Sequence, residues 1–417
     1  MALTRRAFIG GVSAAAALNG LRGEALSATV VSGGESVRRV VATRDDPLDV
    51  RADFPVVENA TYLDSAYITP SPRQAVEAAQ AFAAAKAQDP VSLGGMLGET
   101  NTVRERFATL IGATTAEVGV LFATSDGENI VARALDLRPG DNVVIDDLHY
   151  ETTYLLYQQL SESQGLEVRI VPSEAGAASV EAFAEYVDER TRLISVAWIS
   201  HQNGYRHDLA ALADLAHAHG AYLYADVIQG IGVLNLDVRS TGIDFFTAGT
   251  YKWLLGGYGV APFYVREQLM DQIAPDRFGS LNIAEDLGDH RFRVHKDARK
   301  YGYATMGFGA VYQLRAALDY LLKVGVANIE AHTVVLAQRL HSGLTDQHQD
   351  VWTPAGNRSS IVTFRHHRDI AGVRSSLREA GIRVSYKAGG EELRIGIALF
   401  NTEEEIDSLL AVTGEWA

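Results

Sequence analysis

The sequence predicts an α/β protein, with an open sheet in a large domain and a smaller α/β unit behind it. Three observations carry that expectation. Residues 221–225 alternate like a buried strand and end at Asp226. A second apolar segment, 243–248, runs into Gly249-Thr250-Tyr251-Lys252, and Gly256, Gly257 and Gly259 allow a tight return into a third strand at 260–265. After residue 360 the pattern shortens to a compact alternation of strands and helices. Asp226 and Lys252 thus each stand just past a strand end, where open α/β sheets bind ligands. From spacing alone, a simple ion pair is the better explanation.

Size and charge bound the rest. The 417 residues are 47% hydrophobic, enough for two domains with sizeable cores. A net charge of −15 argues against nucleic acid or anionic membrane as the main partner, while leaving room for a locally basic phosphate pocket. The absence of cysteine rules out disulfides, thiolate metal sites and a cysteine nucleophile in the chain. No apolar run reaches membrane-spanning length, so stable membrane insertion is not expected.

Taken in order, Thr61-Tyr62-Leu63-Asp64-Ser65-Ala66 reads as a short strand and turn. Ser71-Pro72 opens an alanine-rich helix with proline at its first position, 89–98 reads as a loop, and 99–111 as an amphipathic helix. A strand at 118–123 precedes Thr124-Ser125-Asp126-Gly127-Glu128-Asn129 and a helix to residue 135. Small polar residues between a strand and a helix make an anion cradle of free N–H groups. Strand 143–146 leads to Leu148-His149-Tyr150-Glu151, and strand 193–199 to Ser200-His201-Gln202-Asn203-Gly204. Asp208 is placed to cap helix 209–219. His217 and His219 fall on different helix faces, so no metal site is expected, and His366-His367 reads as surface polarity. Two helices at 307–323 and 326–344 precede strands at 361–364, 383–386 and 393–398 and helices at 369–380 and 403–410.

Several of these stretches together resemble one family. Asp226-x-x-Gln229 followed by Lys252-Trp253-Leu254-Leu255-Gly256, the opening Tyr62-Leu63-Asp64, and the ending Arg394-Ile395-Gly396 … Asn401-Thr402-Glu403 are similar to class V aminotransferase-fold enzymes. That family includes cysteine desulfurases, isopenicillin N epimerase-like enzymes and kynureninases. The resemblance implies fold type I, with a mostly parallel seven-stranded sheet, and pyridoxal 5'-phosphate (PLP) joined to Lys252 as an imine. It implies a large cofactor domain at 51–275, whose segment 51–70 contacts a small domain at 276–417. It also implies a small amino-acid substrate and a homodimer with sites at the subunit interface. Asp226 would face the pyridinium nitrogen and Asn203 the ring hydroxyl, with Gln229 nearby. Tyr150, or His149 as the alternative, would cover the ring. The backbone amides of Asp126 and Gly127 would hold the phosphate, and Arg394 the substrate carboxylate.

The match departs from the family in two places. Gly249 and Tyr251 stand where relatives carry serine and histidine, leaving Thr250 or Tyr251 as candidates for the phosphate. Thr305 keeps the threonine of a Gly-Thr pair that reaches the partner subunit's phosphate, but the glycine is missing. Within the family the sequence leans to the isopenicillin N epimerase-like branch, acting at Cα, with an aminotransferase or a C–S (β-elimination) lyase as the alternative. The missing cysteine argues against persulfide-forming desulfuration.

The N-terminus reads as an address. Thr4-Arg5-Arg6-Ala7-Phe8-Ile9-Gly10 and the apolar run at 12–18 resemble a twin-arginine export signal, with residues 1–28 as the signal and 29–50 as a linker. The expected location is periplasmic or extracellular, with the cytoplasm as the alternative. Of competing readings, no G-x-G-x-x-G joins a strand to a helix and no G-x-S-x-G occurs, so neither a Rossmann dehydrogenase nor a serine hydrolase of that type is supported. A non-catalytic binding protein of the same fold is disfavoured, because Asp226, Gln229, Lys252 and Arg394 would be costly to bury without a ligand.

Overall fold

The computed structural model describes residues 46–416. The arginine pair and apolar run of the expected signal, and most of the expected linker, lie outside the described residues. Seven strands form the main sheet: β1 (Val118–Leu121), β2 (Asn142–Asp146), β3 (Glu167–Val171), β4 (Thr191–Ala197), β5 (Tyr222–Asp226), β6 (Phe245–Thr247) and β7 (Ala261–Val265). Their order is β1-β7-β6-β5-β4-β2-β3. All neighbours are parallel except β7, which runs antiparallel to both β1 and β6.

Period-two alternation explains how this sheet is held. Val144, Ile194, Val196, Leu223, Ala225 and Phe246 face one apolar layer. Val143, Ile145, Leu193, Tyr224, Phe245 and Phe263 face the other. Both faces are covered, as parallel sheets require. Gly127, in helix α3 (Thr124–Ala134), lets that helix press on β6: a Cβ there would lie 1.7 Å from Thr247 Oγ1.

Helix boundaries follow capping. Helix α1 is Arg73–Gln88; Pro72 is its N-cap rather than its first residue, and Ser71 Oγ accepts from Gln313 Nε2 at 3.0 Å instead of capping. Helix α2 begins at Leu93, inside the expected loop, because Ser92 Oγ accepts from Gly95 N–H at 3.1 Å and so starts the helix despite its glycines. Helix α4 is Glu151–Gln164. Helix α5, Leu209–Ala218, is capped by Asp208 as the sequence suggests. Among the described residues no single helix is long and apolar enough to cross a membrane.

A second, antiparallel sheet of four strands lies near the C-terminus, in the order Asp350–Val351, Ile361–Arg365, Glu392–Gly396, Ser385–Lys387. Its apolar face, with Phe364, Leu393 and Ile395, packs with Leu336, Leu340 and Leu344 of helix Val326–Asp346. Thr61–Tyr62 pairs in parallel with Ile382–Arg383, and Asp64 bridges Gly396, so the first strand of the described chain closes onto its last sheet. One histidine departs from expectation. His366 is buried rather than at the surface, because its Nε2 reaches the Gly390 carbonyl at 2.6 Å and its Nδ1 accepts Arg368 N–H at 3.1 Å; only His367 is exposed.

Candidate active site

At the carboxyl ends of the parallel strands lies a cavity of about 390 Å³, whose lining includes Asp226, Gln229, Gly249 and Lys252. Topology puts them there. Asp226 is the last residue of β5, and the turn after it is fixed by Asp226 Oδ1 accepting Ile228 N–H at 2.9 Å. Lys252 follows β6 in a loop closed by Leu255 N–H to Lys252 O and Gly256 N–H to Thr250 O, both at 2.8 Å. Leu255 is buried at φ 59°, a left-handed conformation unusual for leucine and held by its packing.

The two charges are poised by burial. Desolvation pushes the Asp226 carboxyl up to about 6, against the Ile228 amide and the Lys252 charge, which pull it down. Desolvation, reinforced by Arg394 and opposed by Asp226, pushes the Lys252 amine down to about 8. Among the described residues Lys252 Nζ has no hydrogen bond to protein; it stands 5.8 Å from the centroid of the Tyr251 ring. Tyr251 in turn stacks on Tyr258, with ring centroids 4.7 Å apart.

The structure brings some sequence-selected residues to this cavity and leaves others outside it. Gln229 lines it, with Nε2 donating to Ala66 O at 2.9 Å and Oε1 accepting Trp253 Nε1–H at 3.0 Å, so its amide ties the Asp226 turn to the Lys252 loop. Tyr150 lines it and stands 43% exposed; His149 is buried behind, accepting Tyr150 N–H at its Nδ1. Asn203 does not reach it. The chain folds back after β4 (Ser200 N–H to Tyr205 O, Gly204 N–H to Ser200 O), which points Asn203 into the protein. There its side chain is engaged by Gly176 O at 2.6 Å and Tyr205 N–H at 3.0 Å.

The expected phosphate contacts also shift. Ala123, Thr124 and Ser125 line the cavity at the start of α3; Asp126 and Gly127 lie beyond it, Asp126 N–H going to Ala123 O. The Asp126 carboxylate accepts from the amides of Phe122 and Ala123 and faces Arg277 at 3.4 Å. Thr250 Oγ1 donates within its own loop, to Gly257 O at 2.6 Å, and is not in the lining, whereas Tyr251 is. Gly249 supplies backbone room: a Cβ there would meet Thr124 Oγ1 and Ile228 Cδ1, each at 3.0 Å. Thr305 is exposed and lies outside the cavity of its own chain.

Arg394 is buried and is not in the cavity lining, although the His201 it holds is; it donates from Nη1 to His201 O at 2.7 Å and from Nη2 to Ser385 Oγ at 3.0 Å, and its Nε has no partner. Two residues that sequence reading passed over share the cavity wall. His201 lines it with a buried, unpartnered Nδ1 and is packed edge-on to Tyr150, ring centroids 5.1 Å apart; burial pushes its imidazole down to about 3. The signal for it was the strand end at β4, the same signal that picked out Asp226. Glu128 also lines the cavity, from the first turns of α3.

These groups fit PLP. A carboxylate with one oxygen left free of protein donors stands at a strand end, and an amine without a partner stands on the next loop. Free amides of Thr124 and Ser125 stand at a helix start, and donor N–H groups remain on Arg394. This fold and site define a fold-type I PLP-dependent enzyme.

The chain belongs to the aminotransferase class-V family, whose model matches residues 61–409, and PLP is its cofactor. A probable cysteine desulfurase of Methanothermobacter thermautotrophicus is 29% identical over 87% of this chain and 96% of its own length. In fold, the chain is similar to the apo cysteine desulfurase of Thermococcus onnurineus, with TM-score 0.79 and 24% identity, covering 90% of this chain and 99% of that one. It is similar to C-DES, seen with glycine covalently linked to PLP, with TM-score 0.81 and 20% identity, covering 88% of this chain and 99% of that one. C-DES is a cystine C–S lyase that has also been captured with its product, cysteine persulfide.

These relatives overturn the exclusion of persulfide-forming desulfurases drawn from the missing cysteine. A persulfide need not form on a cysteine of the enzyme: in the C-DES complex the product itself, cysteine persulfide, carries it. The relatives reported are named for C–S chemistry and not as isopenicillin N epimerases, which moves the weight from epimerisation to the C–S lyase alternative.

Proposed function

We propose that this chain cleaves a C–S bond in a small sulfur-bearing amino acid, of the cysteine or cystine type. The observation that carries the proposal is the single cavity holding Asp226 and the unpartnered Lys252 amine, in a family whose reported relatives act on such substrates. When bound, PLP supplies an electron sink for charge developing at the substrate's Cα. Lys252 anchors the cofactor. With its amine held near 8, it takes and returns the Cα proton near neutral pH. Asp226, anionic above about 6, keeps a proton on the ring nitrogen. Arg394 binds the α-carboxylate through Nε–H and the outer N–H groups its two protein contacts leave free. His201, on the wall beside Tyr150, takes the place proposed for Asn203 next to the ring hydroxyl. Sulfur then leaves from Cβ to a thiol outside this cysteine-free chain, or as sulfide.

The unit is proposed to be a homodimer. Leu97, Leu287, Phe292 and Val294 are exposed apolar side chains, and Leu97 and Met306 share a second cavity that the neighbour of Thr305 thereby lines.

Loaded enzyme incubated with L-cysteine and L-cystine tests the reaction. Sulfur release with pyruvate and ammonia marks elimination, and sulfur transfer to added thiol with alanine marks desulfuration; both support C–S cleavage. Solvent deuterium entering Cα with no sulfur released, or amine transfer to a keto acid, refutes it.

A further inference from the structure

Behind Asp226 lies a second buried carboxyl with its own hydrogen-bond system. Glu128 is buried and lines the same cavity. Its Oε1 accepts from Ser195 Oγ at 2.6 Å and its Oε2 from Thr153 Oγ1 at 2.8 Å. Ser195 lies on β4, next to β5 and in register with Tyr224, two residues before Asp226. On the far side, Ser195 Oγ is 3.3 Å from His149 Nε2. Tyr150 N–H donates to His149 Nδ1 at 2.7 Å, so the imidazole proton sits on Nε2 and points to Ser195. Ser195 therefore receives from His149 and donates to Glu128, a one-way arrangement that ends on the carboxyl.

We propose that Glu128 is a positioning residue for Asp226, a carboxyl held by Ser195 and Thr153 whose gain or loss of a proton sets how much negative charge stands behind the ring-nitrogen end of the bound cofactor. This rests on the reading that Asp226 and Lys252 hold PLP. The groups facing Glu128 are Asp226 and Tyr224 from β5, Thr153 and Tyr157 from α4, Ser195 from β4 and, through it, His149. No cation is among them. Tyr224 already donates to Thr247 Oγ1 at 3.1 Å, and the Tyr157 hydroxyl faces Glu128 and Ser195. Desolvation, with the Asp226 charge adding to it and the hydroxyls of Ser195, Thr153 and Tyr157 opposing, pushes Glu128 up to about 7. Between about 6 and about 7 the site thus presents one carboxylate, and above about 7 two. The second favours positive charge on the chromophore.

The test is a pH titration of the visible absorbance of PLP-loaded wild type, Glu128→Gln and Ser195→Ala, with borohydride reduction and peptide mapping alongside. Wild type is expected to show a transition centred near neutrality, and Glu128→Gln to lose it while keeping the reducible adduct on Lys252. Ser195→Ala, which removes one donor from the carboxylate, is expected to move the transition upward by about one unit. Titrations identical in all three proteins overturn the proposal. Should Glu128→Gln not fold, Ser195→Ala decides alone, and an unmoved transition overturns it. An adduct mapped to another lysine overturns the site assignment itself, and this proposal with it.

Discussion

Arg394 Nη1 donates to the backbone carbonyl of His201 at 2.7 Å, joining the middle of the C-terminal sheet to the loop after β4. The same side chain holds Ser385, which in turn donates to Asp64 of the N-terminal segment. Three parts of the chain remote in sequence thus converge on one guanidinium, whose charge is felt at the Lys252 amine. Burial pulls Arg394 down from its ordinary range, with Asp64 opposing.

Replacing Arg394 with Lys is therefore expected to damage substrate binding more than cofactor binding. Ammonium cannot reproduce the planar fork, and loss of a charge-assisted hydrogen bond costs about 1.5–3 kcal/mol. Steady-state kinetics should show kcat/KM lowered by about 10- to 100-fold, carried mainly by KM, with the visible cofactor band unchanged.

The stability that two buried carboxyls lend the apoprotein should be lost as pH rises toward neutrality. Glu128 and Asp226 are acids whose folded values, about 7 and about 6, lie above their ordinary ones, so both favour the folded state at low pH. That contribution is complete below the ordinary carboxylate range and is lost as pH rises through about 7. Glu128→Gln removes one titration. The unfolding free energy of the variant relative to wild type should rise by about 3 kcal/mol between pH ~4 and ~8, measured by denaturant titration of the apoproteins. A constant difference across that range would contradict the buried carboxyl's shift.

Gly127→Ala tests the packing of α3 on the sheet. The added methyl would stand 1.7 Å from Thr247 Oγ1 and 2.9 Å from Thr247 Cβ, so the helix must move away from β6. The expected cost is about 2–3 kcal/mol in thermal or denaturant unfolding. Because the same helix start lines the cavity, PLP affinity should fall as well.

Export is tested at the arginine pair. If residues 1–28 act as the export signal they resemble, changing both Arg5 and Arg6 to Lys should leave the protein in the cytoplasm with full cofactor content, as cell fractionation would show. Equal distribution of wild type and variant would remove the export reading.

How much of this was legible in advance depended on how local the cause was. Six strands of the main sheet showed as short apolar segments because they are buried, whereas the edge strand Glu167–Val171, mostly exposed, left no such signal and was missed; Asp208 announced its helix because a cap is read by the amide three residues on. Ser92 was an equally local signal, outweighed by the glycines after it, and so α2 began earlier than expected. The polar side chains were harder. Asn203 and Thr250 have the right chemistry and the right neighbourhood, yet each is used up by carbonyls of its own surroundings.

By itself, the sequence determined the α/β class, the strand-end positions of Asp226 and Lys252 and the family likeness, because each rests on periodicity or on residues close together in the chain. Tertiary structure alone decided that His201 and not Asn203 reaches the cavity, that Ala123 to Ser125 rather than Asp126 and Gly127 form its rim, and that Glu128 stands behind Asp226. Those outcomes depend on which way a loop folds back and which carbonyl claims a donor first. A hydrogen bond is short-ranged and directional, so the result is settled only when distant strands have come together.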